Sequence, residues 1–455
     1  MRVTRREFLG RSALACVVAS AGCSAASRAG LVAPEIVVNR PDDLVDSPWA
    51  IQLRGFPPGG RVEMMATLGG WGGAPWRSWA VFEADAAGEV ALATAPALTG
   101  SYRGVSPMGL FWSMERQDEI AGAAIPLDGD FPLTLAAGGR DGARAEARLD
   151  RRLVSAGVTS RDVEADGLVG TLFTPASPGP HPAAIVLAGE GGGVWLSLAA
   201  LLASRGYAAL ALGYFGMPRL PRRLVNIPLE YFEKATAWLL ETVRPRDSFI
   251  AAIGISRGGE LALLLGATLP VIRAVVAYAP SGVVFGPVGP AEPGDSAWTR
   301  RGRPLAHLGQ NNRAVDWSAI DPTRSPIVER PLYESMLRDR DAVERSSIPV
   351  EHTKGPVLLI SGRADDQWPS FELAQIAYHR LQGNRHPYPF AHLSYDGAGH
   401  GISFPYLSTT VTSYVHPLTR RLYSLGGQPA MTARANADSW PRVLAFLADA
   451  RRQRR

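Results

Sequence analysis

The chain has 455 residues, 46% of them hydrophobic and 20% charged. That balance excludes a disordered or fibrous protein, and the length exceeds what one core usually serves, so two domains are expected. The net charge of +5 comes largely from the first eleven residues, where Arg2, Arg5, Arg6 and Arg11 face only Glu7.

Residues 1–30 read as an export signal. Thr4-Arg5-Arg6-Glu7-Phe8-Leu9-Gly10 resembles a twin-arginine signal, and Ala13 to Ala21 forms a short apolar region. Ala21-Gly22-Cys23 has the form of a lipobox, so Cys23 is a candidate for acylation and membrane attachment. The sequence thus places the protein outside the bacterial inner membrane, as a periplasmic protein or a membrane-anchored lipoprotein. Cys16 is the other cysteine, and both lie in this leader, so the body has no cysteine for a disulfide, a zinc site or a nucleophile. Beyond the leader no segment reaches the eighteen uninterrupted apolar residues of a membrane span, and a soluble body is expected.

From Ile36 to about Ala137 short alternating runs, such as Val62-Glu63-Met64-Met65-Ala66, are punctuated by Pro57-Pro58-Gly59-Gly60 and Gly69-Gly70. Such texture predicts an all-β, immunoglobulin-like sandwich over 31–140. The arginine-rich passage Arg140 to Arg152 reads as a linker. From 153 to 455 strands alternate with helices: strands at Ala183–Ala188, Tyr207–Leu212, Phe249–Ile253, Val271–Ala279, Val357–Ser361 and His392–Tyr395, helices at Ser197–Ser204, Leu229–Val243 and Pro369–Leu381. This is the pattern of an α/β domain with a mostly parallel sheet covered on both faces. A stretch rich in Pro, Gly and Arg, about 285–350, interrupts it as an insertion of unassigned fold. Arg451, Arg452, Arg454 and Arg455 read as a solvated tail, and with no nucleic-acid module beside them no nucleic-acid partner is expected.

The chemistry centres on Gly254-Ile255-Ser256-Arg257-Gly258, which joins an apolar strand to the helix-forming run Glu260 to Leu265. Strand, G-x-S-x-G and helix form a nucleophile elbow, the signature of an α/β-hydrolase. A serine hydroxyl needs a base and the base an orienting carboxylate, in chain order Ser, Asp, His. His400, in Gly397-Ala398-Gly399-His400-Gly401 after the last strand, is the expected base. Asp365, following the strand Val357–Ile360, is the expected acid, with Asp366 as its alternative or as a helix cap. The oxyanion donors are expected to be the backbone N–H groups of Arg257 and Glu190, with Gly191 as second choice, from the loop Gly189-Glu190-Gly191-Gly192-Gly193. A phosphate loop is excluded because no Gly-Lys-Ser/Thr follows. Neither a metal nor another cofactor is implied.

Three separated stretches then carry a resemblance. Gly100-Ser101-Tyr102-Arg103-Gly104-Val105-Ser106-Pro107-Met108-Gly109-Leu110-Phe111-Trp112-Ser113 resembles the N-terminal sandwich signature of the acyl-CoA thioesterase and bile acid-CoA:amino acid N-acyltransferase family. Tyr214-Phe215-Gly216, Leu229 to Glu233 and the elbow are similar to its hydrolase domain, and Ser394 to His400 with Pro405-Tyr406 to its histidine loop. Asp365 matches its acid position. The resemblance runs from about Val37 to Leu447. It implies a two-domain hydrolase acting on acyl-CoA-like thioesters, or related esters, through an acyl-enzyme. Members that conjugate acyl groups to amino acids carry cysteine where this chain has Ser256, so serine points to water as acceptor. An acyltransferase and a non-enzymatic envelope protein that binds a lipid or a partner are the competing expectations.

Overall fold

The computed structural model describes residues 33–40, 42–69, 75–117, 130–309, 312–417 and 419–452. The expected export signal, Cys23 included, lies outside the described residues.

The N-terminal strands form two antiparallel sheets around a shared core. The larger runs in the order Thr99–Gly100, Trp76–Glu83, Arg61–Leu68, Asp130–Gly139, Arg144–Arg152, and the smaller joins Glu35–Asn39, Ala50–Arg54 and Val90–Ala91. Period-two alternation decides which face is inside: Val62, Met64, Ala66 and Leu68 are buried, as are Trp76, Ser78, Ala80 and Phe82 on the neighbouring strand.

The passage expected as a linker is a sheet strand. Arg144–Arg152 pairs along its length with Asp130–Gly139. Its inward positions are Ala145, Ala147 and Leu149, and then Arg151, which is only 2% exposed. That guanidinium lies over the rings of Trp49 (4.7 Å) and Phe111 (4.6 Å) and donates to the Val45 carbonyl. A buried arginine between aromatic faces suits a strand whose composition looks solvated.

The second domain carries an eight-stranded sheet in the order Thr159–Val163, Val169–Thr174, Ala208–Gly213, Ala183–Leu187, Ile250–Ile255, Ile272–Tyr278, Val357–Gly362, Phe390–Tyr395. The last six strands are mutually parallel, and Val169–Thr174 runs antiparallel to both its neighbours. Ala183–Leu187 and Val357–Gly362 are buried at every residue, as a sheet covered on both faces requires. The helices Leu196–Ser204, Leu229–Thr242, Arg257–Thr268 and Ser370–Gly383 fall within a residue or two of expectation at most ends. A further helix, Pro429–Arg452, has no counterpart in the sequence reading; it takes up Arg451 and Arg452.

The two domains meet at a polar joint. Buried Asp46 accepts from Arg205 Nη2 at 2.6 Å and from the Trp440 indole at 2.7 Å. The insertion is likewise anchored rather than appended. Its helices Arg330–Met336 and Arg340–Ser346 pack Leu332, Met336 and Val343 with Val283, Phe285, Leu308 and Trp368. Backbone N–H groups of Glu329 and Arg330 donate to the Asp366 carbonyl, and Arg330 Nη1 to the carbonyls of Arg363 and Asp365. The insertion thus holds the loop that carries the expected acid.

Candidate active site

The elbow forms because its glycines allow a contact no other residue permits. A Cβ on Gly254 would lie 2.0 Å from the Gly258 carbonyl oxygen, and one on Gly258 2.3 Å from that of Ala188. Between them Ser256 is held at φ 58° and ψ −124°, a conformation that costs a non-glycine residue about 1–3 kcal/mol. Its N–H donates to the Tyr278 carbonyl, and its own carbonyl accepts from Glu260 N–H. The loop after Ala183–Leu187 lies against it, since a Cβ on Gly189 would sit 3.7 Å from Ser256 Oγ.

Arg257 opens the elbow helix with a buried guanidinium. It meets Glu260 Oε2 at 2.6 Å and donates to the carbonyls of Phe285 and Gly286. Glu260 also accepts from the Trp298 indole, yet burial pushes its carboxyl up to about 7. This pair ties the elbow helix to the start of the insertion.

Asp365 and His400 are brought together. His400 Nδ1 is 2.8 Å from Asp365 Oδ2, the carboxyl being fully buried and the ring 7% exposed. Asp365 Oδ1 accepts the backbone N–H groups of Gln367 and Trp368, so the carboxylate cannot swing away. The histidine loop is pinned by His400 N–H donating to the Leu425 carbonyl. Burial drives the His400 imidazole towards its neutral form, but the charge and hydrogen bond of Asp365, helped by Glu190, outweigh it and the net shift is upward. The Trp368 ring stands edge-on to the imidazole, centroids 6.1 Å apart, and its indole N–H donates to the Ala279 carbonyl, one residue from the acceptor of Ser256 N–H.

Asp366 takes neither of the parts foreseen for it. Its Oδ2 accepts from Ser424 Oγ at 2.7 Å, away from His400, and the following helix has Pro369 at its N-cap without a side-chain bond. His392 is structural: Gln375 and Ser361 bond its two nitrogens, and burial, then Arg363, pull it down to about 4. His386 bonds two backbone carbonyls, Glu351 and Gly355, in the same structural way.

Sequence reasoning treated Glu190 only as a backbone donor. Its side chain is a hub as well, accepting from Tyr414 OH at 2.6 Å and from Gln367 Nε2 at 3.2 Å. Tyr414 sits on the hairpin Ser413–Val415 and Leu422–Ser424, and Gln367 reaches on to Glu329 of the insertion. Nothing local in the sequence joins these residues.

An elbow serine at the end of a central parallel strand, with a buried Asp–His pair supplied by later strands, defines an α/β-hydrolase-fold enzyme behind a β-sandwich. Residues 227–452 match the family described as BAAT / Acyl-CoA thioester hydrolase C terminal, and residues 46–165 match its partner, the Acyl-CoA thioester hydrolase/BAAT N-terminal region. Acyl-coenzyme A thioesterase 1 of Homo sapiens is 32% identical over 409 residues, covering 88% of this chain and 93% of that protein. The peroxisomal succinyl-coenzyme A thioesterase of Mus musculus is 31% identical over 413 residues, with the same two shares. The chain belongs to the acyl-CoA thioester hydrolase/BAAT family.

Proposed function

We propose that the chain hydrolyses acyl thioesters of the acyl-CoA kind, and related esters, through an acyl-Ser256 intermediate. His400 takes the Ser256 proton as the hydroxyl oxygen attacks the carbonyl carbon. Asp365 holds Nδ1–H, so that Nε2 is the nitrogen left to act as base. The oxyanion is met by backbone N–H of Arg257 and of Glu190, with Gly191 as the alternative donor. Collapse expels the thiolate, which leaves as the thiol with the proton from His400. A water then gives its proton to His400 and attacks the acyl-enzyme, freeing the carboxylic acid and Ser256.

The observation that carries this reading is the 2.8 Å bond from His400 Nδ1 to a fully buried Asp365, since it fixes the imidazole and leaves Nε2 as the basic nitrogen. The thioesterase relatives support the thioester as substrate. The test incubates the protein with an acyl-CoA and with the matching simple acyl ester. The expected result is release of free thiol, with the acyl mass trapped on the peptide that contains Ser256; acyl groups found only elsewhere would reject the assignment.

We further propose export by the twin-arginine route with lipid attachment at Cys23, on the strength of Arg5, Arg6 and the lipobox. Replacing Arg5 and Arg6 by lysine is expected to leave the protein in the cytoplasmic fraction, and Cys23→Ala to release it from the membrane fraction. Unchanged fractionation of both variants would reject the proposal.

A further inference from the structure

A cavity of about 800 Å³ opens beside Arg257 and is lined on its apolar side by Phe285, Leu332, Tyr333 and Met336. Glu329 also lines it, and it does not stand alone. Gln367 Nε2 donates both to Glu329 Oε2 and to Glu190 Oε1, so one amide nitrogen holds two carboxyl groups together. Tyr414 OH adds a donor to the same Glu190 oxygen, and His416 Nε2 lies 3.9 Å from it. Burial, and then the charge of Glu190, push the Glu329 carboxyl above the usual range. Burial and the same two carboxyls push the phenols of Tyr333 and Tyr414 up as well. All of this marks a corner short of positive charge.

A second observation shows what kind of group is lacking. Gln367 is 3% exposed, and its Oε1 has no hydrogen-bond partner among the described residues. Turning the amide over would aim that oxygen at two carboxyls, so Nε2 is the atom that faces them and Oε1 of the same amide is left without a donor. The nearby arginines are committed elsewhere or solvated, and His416 Nδ1 accepts from Thr419 N–H. Arg257 serves Glu260 and two carbonyls, Arg330 serves Glu334, Glu372 and the acid loop, and Arg421 is exposed. The corner is also close to the chemistry, because Gly189, the neighbour of Glu190, packs on Ser256.

We infer that Glu190, Glu329 and Gln367 form a cation subsite, which takes a positively charged nitrogen on the substrate within a few bonds of the reacting carbonyl. An ammonium brings the charge and the N–H donors that two carboxyls and an orphan amide oxygen lack. The nitrogen belongs either to the acyl group or to the leaving group; the chemistry of recognition is the same. The inference rests on the Ser256 reading above.

The test compares kcat/KM within two isosteric pairs of thioesters on the full chain. One pair is β-alanyl against butyryl on a common neutral thiol; the other is butyryl on 2-(dimethylamino)ethanethiol, protonated at neutral pH, against butyryl on 3-methylbutanethiol. In one pair the charged member is expected to win by roughly tenfold to a hundredfold, the worth of a charge-assisted hydrogen bond, and the winning pair identifies which half of the substrate carries the nitrogen. Glu329→Gln is expected to bring that ratio close to one. Should that variant fail to fold, stronger inhibition of the unaltered protein by propylammonium than by propanol makes the same point. A neutral preference in both pairs, equal inhibition by the two additives, or a ratio untouched by Glu329→Gln would overturn the inference. Hydrolysis of the neutral thioesters and its loss in Ser256→Ala report separately on the underlying reading.

Discussion

Replacing Ser256 by alanine is expected to lower kcat on every thioester and ester substrate by about 10⁴- to 10⁶-fold. The loss is that large because in the proposed mechanism His400 and Asp365 act only through the serine; without it the Asp365–His400 bond orients a base with nothing to deprotonate. What survives is the contribution of the oxyanion donors and of binding, about 10³–10⁴ over water in comparable triads. Folding should not change. Alanine keeps the Cβ, so the strained φ of 58° persists, and the carbonyl and N–H bonds to Glu260 and Tyr278 are made by backbone. Ser256→Gly separates the two effects: it should be as inactive as alanine yet melt higher, because glycine relieves a strain of about 1–3 kcal/mol. Steady-state kinetics beside thermal melts read both, and an alanine variant with near-full rate would remove Ser256 from the reaction.

What could be read from the sequence was whatever is local or fixed by sheet topology. The elbow is a five-residue device whose glycines and flanking strand and helix are contiguous, and Asp365 and His400 sit after the strands where parallel sheets put their working groups. Three things escaped for distinct physical reasons. Arg144–Arg152 looks like a solvated linker because its inward row is Ala, Ala, Leu and Arg, and only the aromatic faces of Trp49 and Phe111 make the last an inward residue. Pro429–Arg452 is polar, contains Pro441, and buries a stripe of Ala435, Trp440, Val443 and Leu447 that is sparse against its length. The insertion is held by isolated apolar residues such as Phe285, Leu308 and Leu332, which follow no period. The side-chain role of Glu190 was invisible for another reason: its partners Gln367 and Tyr414 lie 177 and 224 positions away. Convergence over such distances is a property of the folded sheet and its loops, and no spacing rule records it.

Asp365→Asn is expected to cost about 10⁴ in kcat while leaving the chain folded, and to move the pH profile as it does so. An amide at 2.8 Å from His400 Nδ1 can donate from its NH2 as well as accept, so it permits the tautomer that carries its proton on Nε2 and disables the base. The pH argument has a definite sign. Burial lowers the His400 pKa, Asp365 raises it, and the net is upward from the ordinary 6.5. Only the neutral imidazole accepts the Ser256 proton, so kcat/KM rises with pH and its acid limb is centred above that value. Removing the carboxylate charge deletes the largest upward cause and leaves burial in place, so the acid limb of the asparagine variant moves to lower pH even as its height collapses. Profiles taken with an activated ester, on which the residual rate is measurable, test this directly. An acid limb that stays where it is would mean that the group titrating in the profile is not His400, and the roles given to both residues would fail together.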